Sequence, residues 1–298
     1  MMNKSPKSVF DMIWDGHRLE LGGRTLIMGI LNVTPDSFSD GGKFYTYNSA
    51  IAQGQKLCEE GADILDIGGE STRPFSKEIS EEEEVRRVLP IIENLAKRVD
   101  VPISIDTTKA GVAKRALDAG ASIINDIGAL RMDPSMADLA AQRKVPVILM
   151  HMKGIPGTMQ VNPHYDDLIG ELKEFLSERI KYATKKGIER SKIIIDPGIG
   201  FGKNTDHNLK VIRNLSEFNQ LNVPILIGPS RKAFIRNTLK EYLKKEFSAD
   251  DSEVETGTQA VISASILNGA HMVRVHNVAN TVTTVKLINA IQAGLQDS

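Results

Sequence analysis

The chain has 298 residues, of which 41% are hydrophobic and 25% charged, and its formal net charge is −1. This composition is typical of a globular protein and argues against a surface built to bind nucleic acid. The single cysteine, Cys58, excludes an internal disulfide framework and suits a reducing compartment. Residues 1–23 lack the apolar run of a signal peptide, and no stretch reaches the ~20 apolar residues of a membrane span. We therefore expect a cytoplasmic protein without membrane or nucleic-acid partners.

The order of the predicted elements indicates the fold. Residues 10–21, with Asp15-Gly16 between two short runs, predict a β-hairpin. Eight apolar runs follow, at 25–31, 64–67, 102–105, 122–124, 146–150, 193–195, 224–227 and 271–275. Helical patterns lie between them, including 80–98, 109–119, 134–143, 165–186 and 206–215, and the charged stretch 240–255 is predicted to be an insertion between two helices.

Near-continuous apolar runs suit parallel strands that are buried on both faces. Eight strand–helix units at this length predict an α/β protein, a (β/α)8 TIM barrel of one domain. Residues 1–23 would form a hairpin that caps the barrel, and residues 24–298 the barrel itself. An open doubly wound sheet is the alternative, because strand order cannot be deduced from sequence.

Polar residues follow nearly every predicted strand, where a barrel of this type places its site. They are Asn32, the loop 68–74, Asp106, Asn125-Asp126, His151, Asp196, the segment 230–232, and Arg274 with His276. Asp106 and Asp126 could instead be helix caps, and His151 could be a core histidine. The loops 32–42 and 68–74 are rich in turn formers, and Phe38 suggests a lid over a flat ligand, although ordinary turns would also explain them.

The residue types at the strand ends point to a heterocycle and a phosphate. Asp106, Asn125 and Asp196 end three strands, and carboxylates and an amide suit a flat ring that carries several N–H groups. The segment 230–232 at a helix start, and Arg274 with His276, predict a diphosphate site. Oxygen ligands favour Mg²⁺ over zinc. The glycine-rich segment 198–203 matches neither common phosphate-loop pattern in full.

Seven groups of segments resemble the dihydropteroate synthases over nearly the whole chain. They are MGILNVTPDSFSDGG at 28–42, DIGGESTRP at 66–74, SIDT at 104–107, INDIG at 124–128, LMHMK at 149–153, IDPGIGFG at 195–202, and SRK at 230–232 with RVH at 274–276. The resemblance implies a transferase of folate synthesis. It would join 6-hydroxymethyl-7,8-dihydropterin diphosphate to p-aminobenzoate through loss of diphosphate to a pterin cation. It also implies Mg²⁺, inhibition by sulfonamides and a homodimer.

The resemblance also implies roles for individual residues. Asp106, Asn125, Asp196 and Lys232 would bind the pterin, Arg274 and His276 the diphosphate, and Asn32 the Mg²⁺; Asp106, Lys232, Arg274 and His276 would be catalytic. Thr72, Arg73, Pro74, Asp36, Phe38 and Ser39 would form two mobile loops, and Phe38, Pro74, Phe201 and Lys232 would border p-aminobenzoate. Three residues depart from the usual family pattern, namely Phe75, Ala233 and Asn277.

Two rival functions stay open at this point. A methyltetrahydrofolate-dependent corrinoid methyltransferase would share the pterin acids, but it does not need the 32–42 loop or the Arg274 and His276 pair. A non-catalytic pterin-binding paralogue would bind without releasing diphosphate.

Overall fold

The computed structural model describes residues 8–33, 43–71, 78–155 and 157–294. The strands are β1 (Phe10–Trp14), β2 (His17–Leu21), β3 (Leu26–Asn32), β4 (Ile64–Gly68), β5 (Ile103–Asp106), β6 (Ile123–Asp126), β7 (Val147–Met150), β8 (Ile193–Asp196), β9 (Leu226–Ile227) and β10 (Met272–Val275). The α-helices are α1 (Lys43–Glu59), α2 (Glu81–Leu95), α3 (Ala110–Asp118), α4 (Ser135–Arg143), α5 (Leu168–Lys185), α6 (Thr205–Arg213), α7 (Ala233–Leu243), α8 (Ser252–Leu267) and α9 (Val278–Gly294). Short 3₁₀ helices span Arg190–Lys192 and Leu215–Leu221.

The eight strands β3 to β10 form a parallel barrel. Their order is β8-β7-β6-β5-β4-β3-β10-β9, with every pair parallel. The ends of this series meet through a parallel bridge between Ile195 and Ile225, and the Ile195 amide donates to the Pro224 carbonyl at 3.0 Å. The predicted (β/α)8 barrel is therefore confirmed, and the open sheet is wrong.

Burial on both faces explains why the strands are apolar throughout. Every residue of β4, β7 and β8 is buried, including Asp66 in the middle of β4 and Asp196 at the end of β8. Helices cover the outer face, since α2 buries Val85, Val88 and Ile92 in the same core. A polar side chain inside such a strand needs a hydrogen-bond or charge partner, and the residues of the site described below supply it.

The predicted hairpin is also confirmed. Asp15 and Gly16 both have positive φ, 41° and 77°, as in the tight turns that suit a two-residue hairpin. The hairpin lies against the N-terminal end of the barrel, because His271, which precedes β10, bonds the Ser8 carbonyl at 3.1 Å and packs edge-on against Phe10. The division of the chain at residue 23 stays a prediction.

One local expectation needs correction. The charged stretch 240–255 is not one insertion, because α7 continues to Leu243 and α8 already begins at Ser252, which leaves only residues 244–251 between them. At the start of α2, the Ser80 hydroxyl accepts from the Glu83 amide at 3.2 Å. The Glu83 carboxylate bonds Arg86 and Arg87, so only one half of a capping box forms.

None of the helices in the described segments is both long enough and apolar enough to span a membrane.

Candidate functional site

A buried ion-pair network joins the middle of β4 to the carboxyl ends of β5, β6 and β10. The Arg274 Nε donates to Asp66 Oδ2 at 2.5 Å, and its Nη2 donates to Asp106 Oδ2 at 2.7 Å. The Asn125 amide donates to the same Asp66 oxygen at 3.1 Å. Parallel register brings these residues together, since Gly68 pairs with Asp106 and Asp106 pairs with Asn125. Two strands therefore present carboxylates to Arg274, and a third supplies the amide that bonds one of those carboxylates.

The second oxygens of both carboxylates have unused hydrogen-bonding capacity. Within the described residues, Asp66 Oδ1 and Asp106 Oδ1 are buried and have no hydrogen-bond partner. Burial raises the pKa of Asp106 to about 7; Arg274 opposes that rise, and Asp66 adds to it. Buried acceptors of this kind are costly unless they receive a donor, so a ligand with N–H groups would stabilise them.

Asp196 at the end of β8 forms the opposite side of the site. Its Oδ1 accepts from the Gly198 amide at 2.7 Å, and burial raises its pKa to about 6. The cation of Lys232 lowers that pKa, and the Lys232 Nζ lies 4.2 Å from the centroid of the Phe201 ring. Lys232 also lowers the pKa of Asp106. It is therefore close enough to both acids to influence their charge.

An apolar cluster separate from the barrel core lies beside these acids. It consists of Ile127, Met150, Met152, Met159 and Phe201. Met150 pairs with Asp196 in the register of β7 and β8, so the cluster adjoins the charged groups. Methionine and aromatic side chains next to a few directed polar groups are typical of a pocket for a flat organic ligand.

Ser230 and His276 form a polar corner after β9 and β10. The Ser230 hydroxyl lies 3.0 Å from His276 Nδ1 and accepts from the His276 backbone amide at 3.3 Å. Arg231 has a left-handed φ of 58°, and its guanidinium bonds Asp250 at 2.6 Å. Of the two cations expected at this helix start, Lys232 is the one near the acids, whereas Arg231 is engaged with the loop between α7 and α8.

The alternatives for single residues are now decided by their contacts. Asp106 is not a helix cap, because its carboxylate bonds Arg274 and α3 begins after Lys109. Asp126 closes its own loop by accepting from the Gly128 and Leu130 amides, both at 2.7 Å. His151 is buried, with its Nδ1 3.0 Å from Lys203 Nζ.

Sequence reasoning missed Asp66 and Lys203. Asp66 sits inside an apolar strand, and a carboxylate in that position was itself a signal of a buried partner. Lys203 is 2% exposed although it follows a glycine-rich segment, where a phosphate-binding lysine would reach outward. No sequence pattern indicated that it turns inward.

Several predicted site residues cannot be placed. Asp36, Phe38, Ser39, Thr72, Arg73 and Pro74 lie outside the described residues, as does Phe75.

Asn32 is half-buried and ends β3. Among the residues that the structure describes, no group of three or more His, Cys, Asp or Glu side chains could hold a metal ion. The amide oxygen of Asn32 nevertheless suits a hard cation whose other ligands are phosphate oxygens and water.

Comparison with known proteins indicates the family and the fold of the chain. The family model for "Pterin binding enzyme" matches residues 28–276. The dihydropteroate synthase of Synechocystis is 46% identical over 270 residues, covering 91% of each chain. Among solved structures, that of Xanthomonas albilineans dihydropteroate synthase with 4-aminobenzoic acid is 44% identical with a TM-score of 0.87, covering 96% of this chain and 99% of that one. The Yersinia pestis enzyme with a sulfonamide drug complex is 40% identical with a TM-score of 0.86, covering 96% and 100%.

Proposed function

The chain belongs to the dihydropteroate synthase family of pterin-binding enzymes, and we propose that it joins 6-hydroxymethyl-7,8-dihydropterin diphosphate to p-aminobenzoate. The products are 7,8-dihydropteroate and diphosphate, in a step of folate synthesis. One observation carries the proposal: acids and an amide from β5, β6 and β8 converge with Lys232 beside an apolar wall. The apolar wall fits one face of a pterin ring, and the polar groups fit one of its edges.

The pterin would bind through its N–H edge. We assign Asp196 to the 2-amino and N3 donors, because a carboxylate can accept two parallel N–H bonds. The buried Asp106 Oδ1 supports a second donor contact, and Asn125 lies next to it through Asp66. Lys232, the cation near both acids, is assigned to the 4-oxo and N5 acceptors of the ring.

p-Aminobenzoate would lie against Phe201 and the stem of Lys232. The Phe201 ring and the Lys232 ammonium already contact each other, so a second flat ring with a carboxylate could stack beside them. The solved Xanthomonas albilineans relative was studied with 4-aminobenzoic acid, and the Yersinia pestis relative with a sulfonamide. We accordingly expect sulfonamides to compete with p-aminobenzoate here.

The diphosphate would bind at the ends of β9 and β10. Arg274 and His276 occupy alternate positions, which point to the same side of an extended chain. Ser230 adds a hydroxyl next to His276. Asn32 would hold Mg²⁺ through its amide oxygen, and the ion would supply neutralisation of the diphosphate charge as the leaving group departs.

The reaction needs stabilisation of separated charge more than a strong base. The CH2–O bond breaks and its electron pair leaves with the diphosphate, while the pterin ring delocalises the cation. The lone pair of the arylamine then forms the C–N bond, and the nitrogen loses its proton. The carboxylates of Asp66, Asp106 and Asp196 would lie near the ring and His276 would face the anion, while Arg274 would add its charge from its place beside Asp66 and Asp106. Fixed charges of both signs lower the barrier because they need no reorganisation.

A diphosphate-release assay tests the function. The purified chain, Mg²⁺ and the pterin diphosphate are mixed with and without p-aminobenzoate, and both diphosphate and dihydropteroate are quantified. We expect equal amounts of both products, dependent on p-aminobenzoate. Pterin binding without release would favour the non-catalytic paralogue. Methyl transfer from methyltetrahydrofolate to a reduced corrinoid, without diphosphate release, would favour the corrinoid enzyme.

We also propose a homodimer in the cytoplasm. The single, half-buried Cys58 fits a reducing compartment. Sedimentation equilibrium would test the dimer, and a monomer at micromolar concentration would contradict it. Fractionation of cells that express the protein would test its location.

A further inference from the structure

Lys203 is a buried cation with all three of its donors engaged. Its Nζ lies 2.9 Å from the Gly198 carbonyl oxygen, 3.1 Å from the Phe201 carbonyl oxygen and 3.0 Å from His151 Nδ1. The residue is 2% exposed. An ammonium has three donors and no acceptor, so this geometry satisfies it completely. It cannot reach a phosphate without abandoning these bonds.

The loop that Lys203 holds needs such support. Gly198, Gly200 and Gly202 all have positive φ, 72°, 82° and 63°, so the loop turns its carbonyls inward. A Cβ at Gly198 would lie 1.9 Å from the His151 carbonyl oxygen, which shows how closely the loop packs on the end of β7. From the other side, the Tyr165 hydroxyl donates to the Gly202 carbonyl at 2.8 Å. On the inner side of the loop, Lys203 is the hydrogen-bond donor.

Both ends of the held segment carry groups of the site. The Gly198 amide donates to the Asp196 carboxylate, while the Gly198 carbonyl accepts from Lys203. The Phe201 ring contacts Lys232, while the Phe201 carbonyl accepts from Lys203. The ammonium of Lys203 is therefore linked through Gly198 to the residue assigned to the pterin edge. It also bonds the backbone of the residue assigned to the p-aminobenzoate face.

We propose that Lys203 is a positioning residue, whose bonds to the Gly198 and Phe201 carbonyls and to His151 fix the directions of the Asp196 carboxylate and the Phe201 ring. The inference rests on the proposed function, because it concerns the same site. Because it is buried, Lys203 would contact neither substrate. It acts from the side of the loop that faces away from the substrates, as residues that support a ligand-binding group often do.

The pKa values of these groups are consistent with the same arrangement. Burial lowers the pKa of Lys203 to about 7; Asp196 raises it, and Lys232 lowers it. The pKa of His151 is lowered to about 2, mainly by burial and also by Lys203, Arg131 and Lys153, while the histidine's own backbone hydrogen bond opposes the shift; the imidazole is therefore neutral. A neutral His151 can accept at Nδ1. In return, Lys203 is one of three cations, with Lys232 and Arg274, that lower the pKa of Asp196.

The test compares Lys203→Met with Lys203→Gln. Methionine keeps an apolar stem of similar length but has no donor, whereas glutamine restores N–H donors without the charge. Lys192→Met is the matched control, because Lys192 is also nearly buried but bonds Glu189 at the N-terminal end of the barrel. Pterin binding is measured by calorimetry from pH 5 to 8, the condensation by kcat and KM, and folding by thermal unfolding.

We expect Lys203→Met to lower kcat/KM for p-aminobenzoate roughly ten- to a hundred-fold, as for a small misplacement of a binding group. Glutamine should recover part of that loss. Pterin affinity of the native enzyme falls at low pH as Asp196 gains its proton, and Asp106 contributes a similar loss in every variant. Removing the Lys203 charge should shift this fall in pterin affinity, where it is due to Asp196, to higher pH by about half a unit to one unit in both Lys203 variants.

A purely structural lysine would reduce the folded fraction without moving KM for p-aminobenzoate. Unchanged KM for p-aminobenzoate in both variants would therefore overturn the inference. If the methionine variant does not fold, the glutamine variant decides by whether its KM for p-aminobenzoate differs from the native value. Failure of the proposed function is separately visible, because the native enzyme and Lys192→Met would then form no dihydropteroate.

Discussion

Arg274→Met is the substitution that most directly tests the buried network. Methionine fills similar space but leaves Asp66 and Asp106 without their shared cation, although both lie in the barrel interior. The Arg274 side chain is only 19% exposed, and Asp66 is fully buried, so solvent cannot replace the guanidinium. Removing one partner of such a pair leaves an uncompensated buried charge, which costs about 3–5 kcal/mol.

That free energy converts to a measurable shift of the unfolding temperature. Unfolding entropy of about 2.1 cal/mol/K per residue gives about 0.6 kcal/mol/K for a chain of this length. We therefore expect the midpoint to fall by roughly 5–8 °C at pH 8. Arg18→Met is the control, because Arg18 also pairs with an aspartate but is 65% exposed. Its midpoint should not move measurably.

The pH dependence follows from the raised pKa of Asp106. In the native protein this carboxyl is protonated below about pH 7 and ionises above it. Without Arg274 its pKa rises further, so above pH 7 the folded variant keeps a proton that the native protein has released. Stability then falls more steeply with pH in the variant, and the difference in unfolding free energy grows from pH 6 to 9. Calorimetric scans over that range measure it. A difference that is constant with pH, or a double variant Arg274→Met, Asp106→Asn no more stable than the single one at pH 8, would refute the reasoning.

Three further predictions concern single ligand contacts. Asp196→Asn should weaken binding of a pterin analogue by about 1.5–3 kcal/mol, since it loses a charged acceptor; calorimetry with an unchanged Kd would remove Asp196 from the pocket. His276→Ala should weaken inhibition by diphosphate more than inhibition by hydroxymethylpterin, and equal losses for the two inhibitors would contradict its assignment. Asn32→Ala should raise the Mg²⁺ concentration needed for diphosphate binding several-fold, whereas an unaltered Mg²⁺ titration would argue that Asn32 is not a ligand.

The barrel could be predicted because local signals sufficed for it. Each predicted run overlaps an observed strand, and seven of the eight end within one residue of the strand. The exception is the run 122–124, which ends two residues before the end of β6. Burial on both faces leaves a continuous apolar run that needs no knowledge of the partner strand. The hairpin was equally local, since Asp15-Gly16 specifies its turn.

The site was only partly predictable, because its decisive contacts join distant segments. Arg274 lies 208 residues from Asp66 and 168 from Asp106 along the chain, so sequence could indicate a cation at the strand end but not its carboxylate partners. Arg231 and Lys232 are adjacent in sequence, yet the left-handed backbone at Arg231 sends its side chain to Asp250. A tertiary contact, not residue type, decided which cation stays at the site.

The balance of charge inside the barrel explains why the diphosphate depends on further groups. Among the residues that the structure describes, the acids Asp66, Asp106 and Asp196 are met by the cations Arg274, Lys203 and Lys232. A neutral pterin can bind to such a set without changing its net charge. A diphosphate adds negative charge while Arg274 is already bonded to two carboxylates, so the site needs positive charge from elsewhere. His276 and a Mg²⁺ ion on Asn32 are the proposed sources, which is why we expect the pterin alone to bind without Mg²⁺ and the diphosphate ester to require it.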